Sequence, residues 1–583
     1  MAQRLAFASR RVPAAALLGA VLVLSGAPAR AVDYWVDQAH AQASDSNPGT
    51  ETEPWLTIQH GADVAVGGDT VHVKPGTYVE RVLLQTAGAT GARITFRAEP
   101  RRQVTMHGFN TGWPWVQKYG HYVTIEGFNI TNSPQFTNWD DVQGVFIQDT
   151  NNLEVLDNYL YEIQSEAITG SGDAVRIAGN TIYQVQMGIV AGGTSWIVED
   201  NDVSRLYDYG GGDCDYARFF GEGHVFRGNF FHGTDFGEIG AAHVDCFQTF
   251  DNNGEHVRDI LFEGNRCHDF HQALMGEASF YHNSGGLTFR NNVFAHGGAW
   301  GLCVKDIADV VAVNNSFVDI AYHGMGLSGQ YATGGVARNN IFSGIETGYW
   351  AADGAEITGD YNLLDISQPP ATPAAHDIVG QDPKFVDAAN SDYHLQLDSP
   401  AVDTGEAQTG FDTDYDGSAR PYGAGWDMGA FEYTPPCVAG TDCVTPPPCR
   451  TATGATCAAQ QCVYPPEAVG TGCEDGDPCT TGDACDGAGA CVPGPDRCGD
   501  GGVPDGGFQD DGGSGDGGGP PDDAGGAGDG APPDGGHGSL SSGCGCTTSG
   551  HPAPAAVGLL LAVLVARGRR RLRASGRRGP RRG

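Results

Sequence analysis

Basic residues are scarce in this chain. It carries 33 Lys and Arg against 71 Asp and Glu over 583 residues, a formal net charge of −38, and only four lysines. That deficit excludes binding to nucleic acid through its phosphates. Long apolar runs are missing too: Pro13 to Ala27 and Ala553 to Ala566 both fall short of the ~20 residues of a spanning helix. No segment holds a 3.6-residue apolar stripe long enough for a substantial helix. The cysteine-rich part contains no C-x-x-C pair, which argues against a zinc site. The acidic excess could serve Ca²⁺ binding or solubility alone, and charge does not separate the two.

What the sequence does have is a repeat. Between Val123 and Asp365 an asparagine recurs in a similar setting at Asn158, Asn180, Asn201, Asn229, Asn265, Asn292, Asn315, Asn340 and Asn362. The steps are 22, 21, 28, 36, 27, 23, 25 and 22 residues. A period in the twenties with short strand-like segments is the mark of a solenoid. The pattern predicts an all-β chain, a right-handed parallel β-helix over 32–433, with asparagines that adopt a left-handed conformation and bond along the stack. The longer steps lie between Asn201 and Asn292, so the enlarged loops of a functional face are expected there. A short helix near Thr57–Val66 would cap the open end.

The flanks read differently. Residues 1–31 have a basic start, a short apolar run and Ala29-Arg30-Ala31, an A-x-A cleavage site, so an export signal is expected. Residues 437–498 hold ten cysteines, which predicts a small disulfide-stapled module of unspecified connectivity. The four solenoid cysteines, Cys214, Cys246, Cys267 and Cys303, could be thiols or bridges. Residues 499–543 are Gly, Asp and Pro and predict a disordered spacer. Residues 544–583 join Cys544-Gly545-Cys546, a short apolar run and an arginine cluster. Asp412-Thr413-Asp414-Tyr415-Asp416-Gly417 begins like a Ca²⁺ loop, but Gly423 stands where an EF-hand has its Glu; a structural ion and an Asx-rich turn both fit.

Two resemblances follow from motif strings. Pro54-Trp55-Leu56-Thr57-Ile58-Gln59, Gly68-Asp69-Thr70-Val71, Pro75-Gly76-Thr77-Tyr78 and the later Gln381-Asp382-Pro383-Lys384-Phe385-Val386-Asp387 resemble secreted β-helix proteins related to pectate lyases. The tail resembles the C-terminal sorting tails of myxobacterial surface proteins. The second implies an exported protein held at the cell surface or outer membrane through its tail, expected to be a monomer. A retained transmembrane helix is the alternative reading of the tail.

Candidate chemistry comes from aligning the first strand of each coil on its small residue: Gly144, Ala167, Gly188, Cys246, Ala273, Gly301, Gly324 and Gly348. Outward positions then include Asp245, Gln248, Gln272, Glu277, Lys305 and His323, with His243 further out. Nine of the eighteen histidines fall between His224 and His323. The register of Asp213-Cys214-Asp215-Tyr216-Ala217-Arg218 is not fixed by the sequence. The three Asp, G-H-G and R-I-K motifs of polygalacturonases do not occur in order. The resemblance to calcium-dependent pectate lyases implies Ca²⁺-assisted β-elimination on a uronic-acid polysaccharide. Asp213, Asp215 and Asp245 would hold Ca²⁺, and Lys305 would be the base with His243 as alternative. Arg218, Gln248, Glu277 and His323 would contact the acidic polysaccharide. A two-carboxylate hydrolase using Asp213, Asp215 and Asp245, or a surface adhesin without chemistry, are the competing readings.

Overall fold

The computed structural model describes residues 31–492, apart from 109–112, 133–142, 211, 252–255, 438, 444–445, 447–448, 459–460, 474–481, 483 and 490. The export signal, the spacer and the sorting tail lie outside the described residues. Among the described residues, no helix is long and apolar enough to cross a membrane.

The chain winds into a right-handed parallel β-helix. Strands pair in parallel with the corresponding strand of the coil before and the coil after, as in Leu153–Leu156 with Val123–Glu126 and Arg176–Ala178. Right-handed winding is the expected hand for parallel crossovers. Three such faces enclose one apolar core whose rings stack from coil to coil, with Phe262 on Phe289 at 4.2 Å and Phe317 on Phe342 at 5.0 Å. The helix Ile58–Val64 covers the first coil, slightly shorter than the sequence suggests, with Thr57 capping it by accepting from the amide of His60.

The asparagine period is a hydrogen-bonded spine. The amide of each ladder asparagine donates to the side-chain oxygen of the next, from Asn158 to Asn180 at 3.0 Å through Asn340 to Asn362 at 3.0 Å. Asp377 takes over as acceptor for Asn362 at 2.9 Å. One expectation is corrected. The left-handed residue is not the ladder asparagine but the one before it: Asp157, Gly179, Asp200, Gly228, Gly264, Asn291, Asn314, Asn339 and Tyr361 all have φ between 52° and 64°. Gly, Asn and Asp tolerate that conformation best, which explains why those types precede the asparagine at eight of the nine positions, Tyr361 being the exception.

The last coils are closed by residues 401–433, which lie along this corner. Asn291, Asn314 and Asn339 donate to the carbonyls of Thr413, Asp427 and Glu406. Arg420 and Glu432 form a fully buried pair at 2.6 Å. Asp414 accepts from the amides of Asp416, Ser418 and Glu432, so the Asp412–Gly417 stretch folds as an Asx-type turn around that carboxylate. In the cysteine-rich module the described bridges are Cys437–Cys457, Cys443–Cys462, Cys449–Cys485 and Cys473–Cys491. Inside the β-helix Cys246 bonds Cys267, Cys303 is also disulfide-bonded, and Cys214 is a buried thiol.

Candidate functional site

The site is built on one face of the β-helix, from the strands Cys214–Phe219, Val244–Phe250, Arg266–Glu277, Val293–Lys305, His323–Ser328 and Thr347–Ala352. The small-residue alignment holds in the observed pairing from Gly144 to Gly348. The reason is steric: a Cβ on Gly301 would fall 2.0 Å from the carbonyl oxygen of Gly324. The uncertain strand is now placed, with Asp215 opposite Asp245 and Arg218 opposite Gln248.

Rows of side chains follow from this register. One reads Asp215, Asp245, Gln272 and Trp300, and continues to His323 and Thr347. A second reads Arg218, Gln248, Met275, Cys303, Gly326 and Trp350. Asp213 precedes the first row, beside His243, whose carbonyl accepts from the Cys214 amide at 3.0 Å.

At one end the chemistry is ionic. Arg218 is buried and bonds both Asp213 and Asp215. Burial pushes the Asp215 carboxyl up, and the Arg218 charge beside it opposes that push. Asp245 is just as buried, and burial with the neighbouring Asp215 and Asp213 charges raises it well above the usual carboxylate range. One of its oxygens accepts from Gln248 at 3.2 Å, and the other has no partner. Asp245, with no cation beside it, is therefore the carboxyl of this group whose surroundings most favour the neutral form.

In the middle lies a cavity of about 220 Å³ lined by 240–242, His243, His271, Gln272, Ala299 and Trp300. The two imidazole rings are 5.9 Å apart. His271 accepts the amide of Val244 on Nδ1 at 3.0 Å, which leaves Nε2 to carry the proton when the ring is neutral. Burial, then the neighbouring His243, lowers its pKa, so it is neutral at pH 7. Beyond the cavity come aromatic rings: Trp300 and Tyr322 at 6.0 Å, and His323 edge-on to Trp350 at 5.1 Å.

Several sequence-based expectations are corrected. Lys305 sits two coils after Asp245, but in the row of Phe250, Glu277 and Ser328, five positions along the strand from the row of Gln272. At about 3.3 Å per residue that is ~16 Å of separation along the strand alone. Lys305 is ion-paired with Glu277 at 2.9 Å, so both stand away from the aspartates rather than among them. The Ca²⁺ set also fails on its donors. Arg218 occupies the space between Asp213 and Asp215, and Asp245 favours its neutral form. Among the described residues, the groups of three possible ligand atoms within 4.8 Å of one another are cysteines of the disulfide module. Asp213, Asp215 and Asp245 do not form a fit for Ca²⁺.

The structure does bring together His243, Asp213, Asp215, Asp245, Arg218, Gln248 and, further along, His323. The sequence reading passed over His271, Trp300, Tyr322 and Trp350. Trp300 was within reach, since it directly precedes Gly301 in the alignment, as Gln272 precedes Ala273.

Comparison with known proteins agrees on the fold. Residues 221–368 match the model of the right handed beta helix region. This chain is a right-handed β-helix. An uncharacterized protein of Bacillus subtilis (strain 168), YwoF, is 26% identical over 135 residues, 22% of this chain and 29% of that protein. The aligned part thus covers less than a third of that relative. Among solved structures, the pectate lyase Pel9A is similar at a TM-score of 0.41 and 16% identity, over 69% of this chain and 96% of its own. A rhamnogalacturonan lyase is similar at a TM-score of 0.31 and 14% identity, over 65% and 96%. The GH136 lacto-N-biosidase from Eubacterium ramulus is similar at a TM-score of 0.35 and 13% identity, over 57% and 67%. These similarities are similarities of fold.

Proposed function

We propose that this chain is a carbohydrate-active β-helix protein of the cell surface that cleaves a uronic-acid-containing polysaccharide by β-elimination without calcium. The observation that carries the reading is the cavity between His243 and His271, floored by Gln272 and walled by Trp300. β-Elimination needs a base for the C5 proton and a means of neutralising the substrate carboxylate. For the first task His243 is assigned as base, and His271 beside it, neutral with its proton on Nε2, supplies the proton that the departing glycosidic oxygen takes. The Gln272 amide, with the protonated Asp245 behind it, suits the second by donating hydrogen bonds rather than charge. The buried Arg218, committed to two aspartates, holds the site's negative charge in check. The β-helix presents these groups on a rigid face, and the tail expected from the sequence would hold that face outside the cell.

The test is incubation of the purified protein with a panel of uronic-acid and neutral polysaccharides. Unsaturated products are followed by ultraviolet absorbance and new reducing ends are counted in parallel. Unsaturated products support the reading. Reducing ends without unsaturation would make the protein a hydrolase, and binding without either would make it an adhesin.

A further inference from the structure

Side-chain atoms that are buried and lack a hydrogen-bond partner are few among the described residues, and four of them lie on this one face: Asp245 Oδ1, Gln272 Oε1, His323 Nδ1 and Trp350 Nε1. Buried polar atoms are almost always paired, so a concentration of exceptions on one sheet face points to a ligand that supplies the missing partners. The first two lie beside the His243 cavity and belong to the cleavage site: Gln272 Oε1 accepts, and Asp245 Oδ1 donates when its carboxyl is protonated. The other two are at the aromatic end and have a different character. Trp350 Nε1 is a donor only; His323 Nδ1 donates or accepts according to tautomer.

We propose that Trp300, Tyr322, His323 and Trp350 form a separate subsite for an uncharged sugar ring of the same glycan. It rests on the reading of this face as glycan-binding, not on the cleavage step. A sugar hydroxyl is at once donor and acceptor. Sugar hydroxyls offer the acceptor that Trp350 Nε1 lacks and the partner that His323 Nδ1 lacks. The rings of Trp300 and Tyr322 supply the flat apolar surface on which the C–H face of a pyranose stacks. Gly326 makes the arrangement possible: its absent Cβ would lie 2.9 Å from Trp350 Nε1, so only glycine lets the indole lie across that strand. Burial lowers the His323 pKa against the opposing charge of Glu346, which stands beside this group with its amide donating to the Tyr322 carbonyl at 3.0 Å. A uronate placed here would meet negative charge and no compensating cation from these four side chains; a neutral sugar would not. The substrate class that follows is a mixed polysaccharide, with a uronic acid at the His243 cavity and a neutral unit next to it.

The experiment uses the full-length protein and three probes: a neutral xylose tetrasaccharide, a neutral glucose tetrasaccharide and a tetragalacturonate. Binding is read by tryptophan fluorescence and by calorimetry, and cleavage is measured separately. At least one neutral tetrasaccharide is expected to bind more tightly than tetragalacturonate at this end. Trp350→Phe, which keeps the ring and removes the donor, should weaken neutral binding about tenfold. Tyr322→Ala is exposed, leaves the core untouched and should weaken it several-fold. Unchanged affinity in both variants, or no binding of either neutral probe, overturns the subsite. Trp350-dependent binding without cleavage leaves the subsite standing and removes the β-elimination reading. Cleavage with Trp350-independent binding does the reverse.

Discussion

Asp215 and Asp245 stand opposite one another on adjacent coils, both fully buried, and the amide of Asp245 donates to Asp215 at 3.2 Å. Their side chains nevertheless differ in partner. Asp215 bonds Arg218, whereas Asp245 has only the Gln248 amide. Burial raises both, but Asp215 has a cation that supports its charge and Asp245 has none, in two carboxyls a single strand spacing apart.

That difference makes stability depend on pH in a stated direction. Asp245 is raised, so the folded state binds its proton more tightly than the unfolded chain does. Its contribution is complete below the unfolded value of ~3.9 and is lost as pH rises toward the higher folded value. Asp245→Asn removes this titration. The melting temperature of the variant should fall less than that of the wild type as pH rises from about 4 upward. Parallel curves would place the proton elsewhere.

Arg218 is the cation that permits two aspartates in this interior. Arg218→Met leaves Asp215 buried without a countercharge and should destabilise the β-helix by about 3–5 kcal/mol, read from the denaturant midpoint. The double variant Arg218→Met with Asp215→Asn should recover much of the loss. No recovery would mean that packing by the arginine stem, rather than its charge, is what matters.

The asparagine spine gives a further prediction. Asn265→Ala removes the acceptor for the amide and side chain of Asn229 and the donor for the carbonyl of Phe226. The cost is about 3 kcal/mol, from several buried groups left unpaired. Asn362 likewise accepts from the buried amide and side chain of Asn340 and donates to the carbonyl of Ala337, so the same substitution there should cost about as much. A large loss at one position with none at the other would argue against a continuous spine.

Lys305 offers a negative control with content. It pairs with Glu277 away from the His243 cavity. Lys305→Ala should retain cleavage within a factor of about two, as expected for removing a half-exposed ion pair. Loss of activity in that variant would return the lysine to the role that the resemblance to calcium-dependent lyases implies.

The fold was largely legible because a solenoid writes its geometry into the sequence. Each coil must place a left-handed residue and a bonding asparagine at one corner, and a small residue where strands approach closely; both columns could be aligned by eye. What the asparagine pattern concealed was which residue of each pair turns the chain. Asp157-Asn158 and Gly179-Asn180 share the turn type only at the first position. The site was legible in part. Asp245, Gln272 and His323 fall in one row as the alignment implies. Lys305 was misplaced because alignment across coils fixes which face a residue occupies, while distance along the strand decides whether it meets the aspartates. The role of Arg218 was hidden for a related reason: its pairing with Asp213 and Asp215 depends on a strand whose register no small residue marks. His271 and Trp300 are not marked by charge or by the asparagine period, and only the folded cavity, walled by rings, brings them together.

The central claim is metal-free cleavage at the His243 cavity, and one measurement addresses it most directly. The initial rate of unsaturated product formation from a uronic-acid polysaccharide is followed in excess chelator, for the wild type and for His243→Ala. The account predicts an undiminished wild-type rate and a loss of at least ~100-fold in the variant. A wild-type rate abolished by chelator and restored by Ca²⁺, or a His243→Ala variant with full activity, would contradict it.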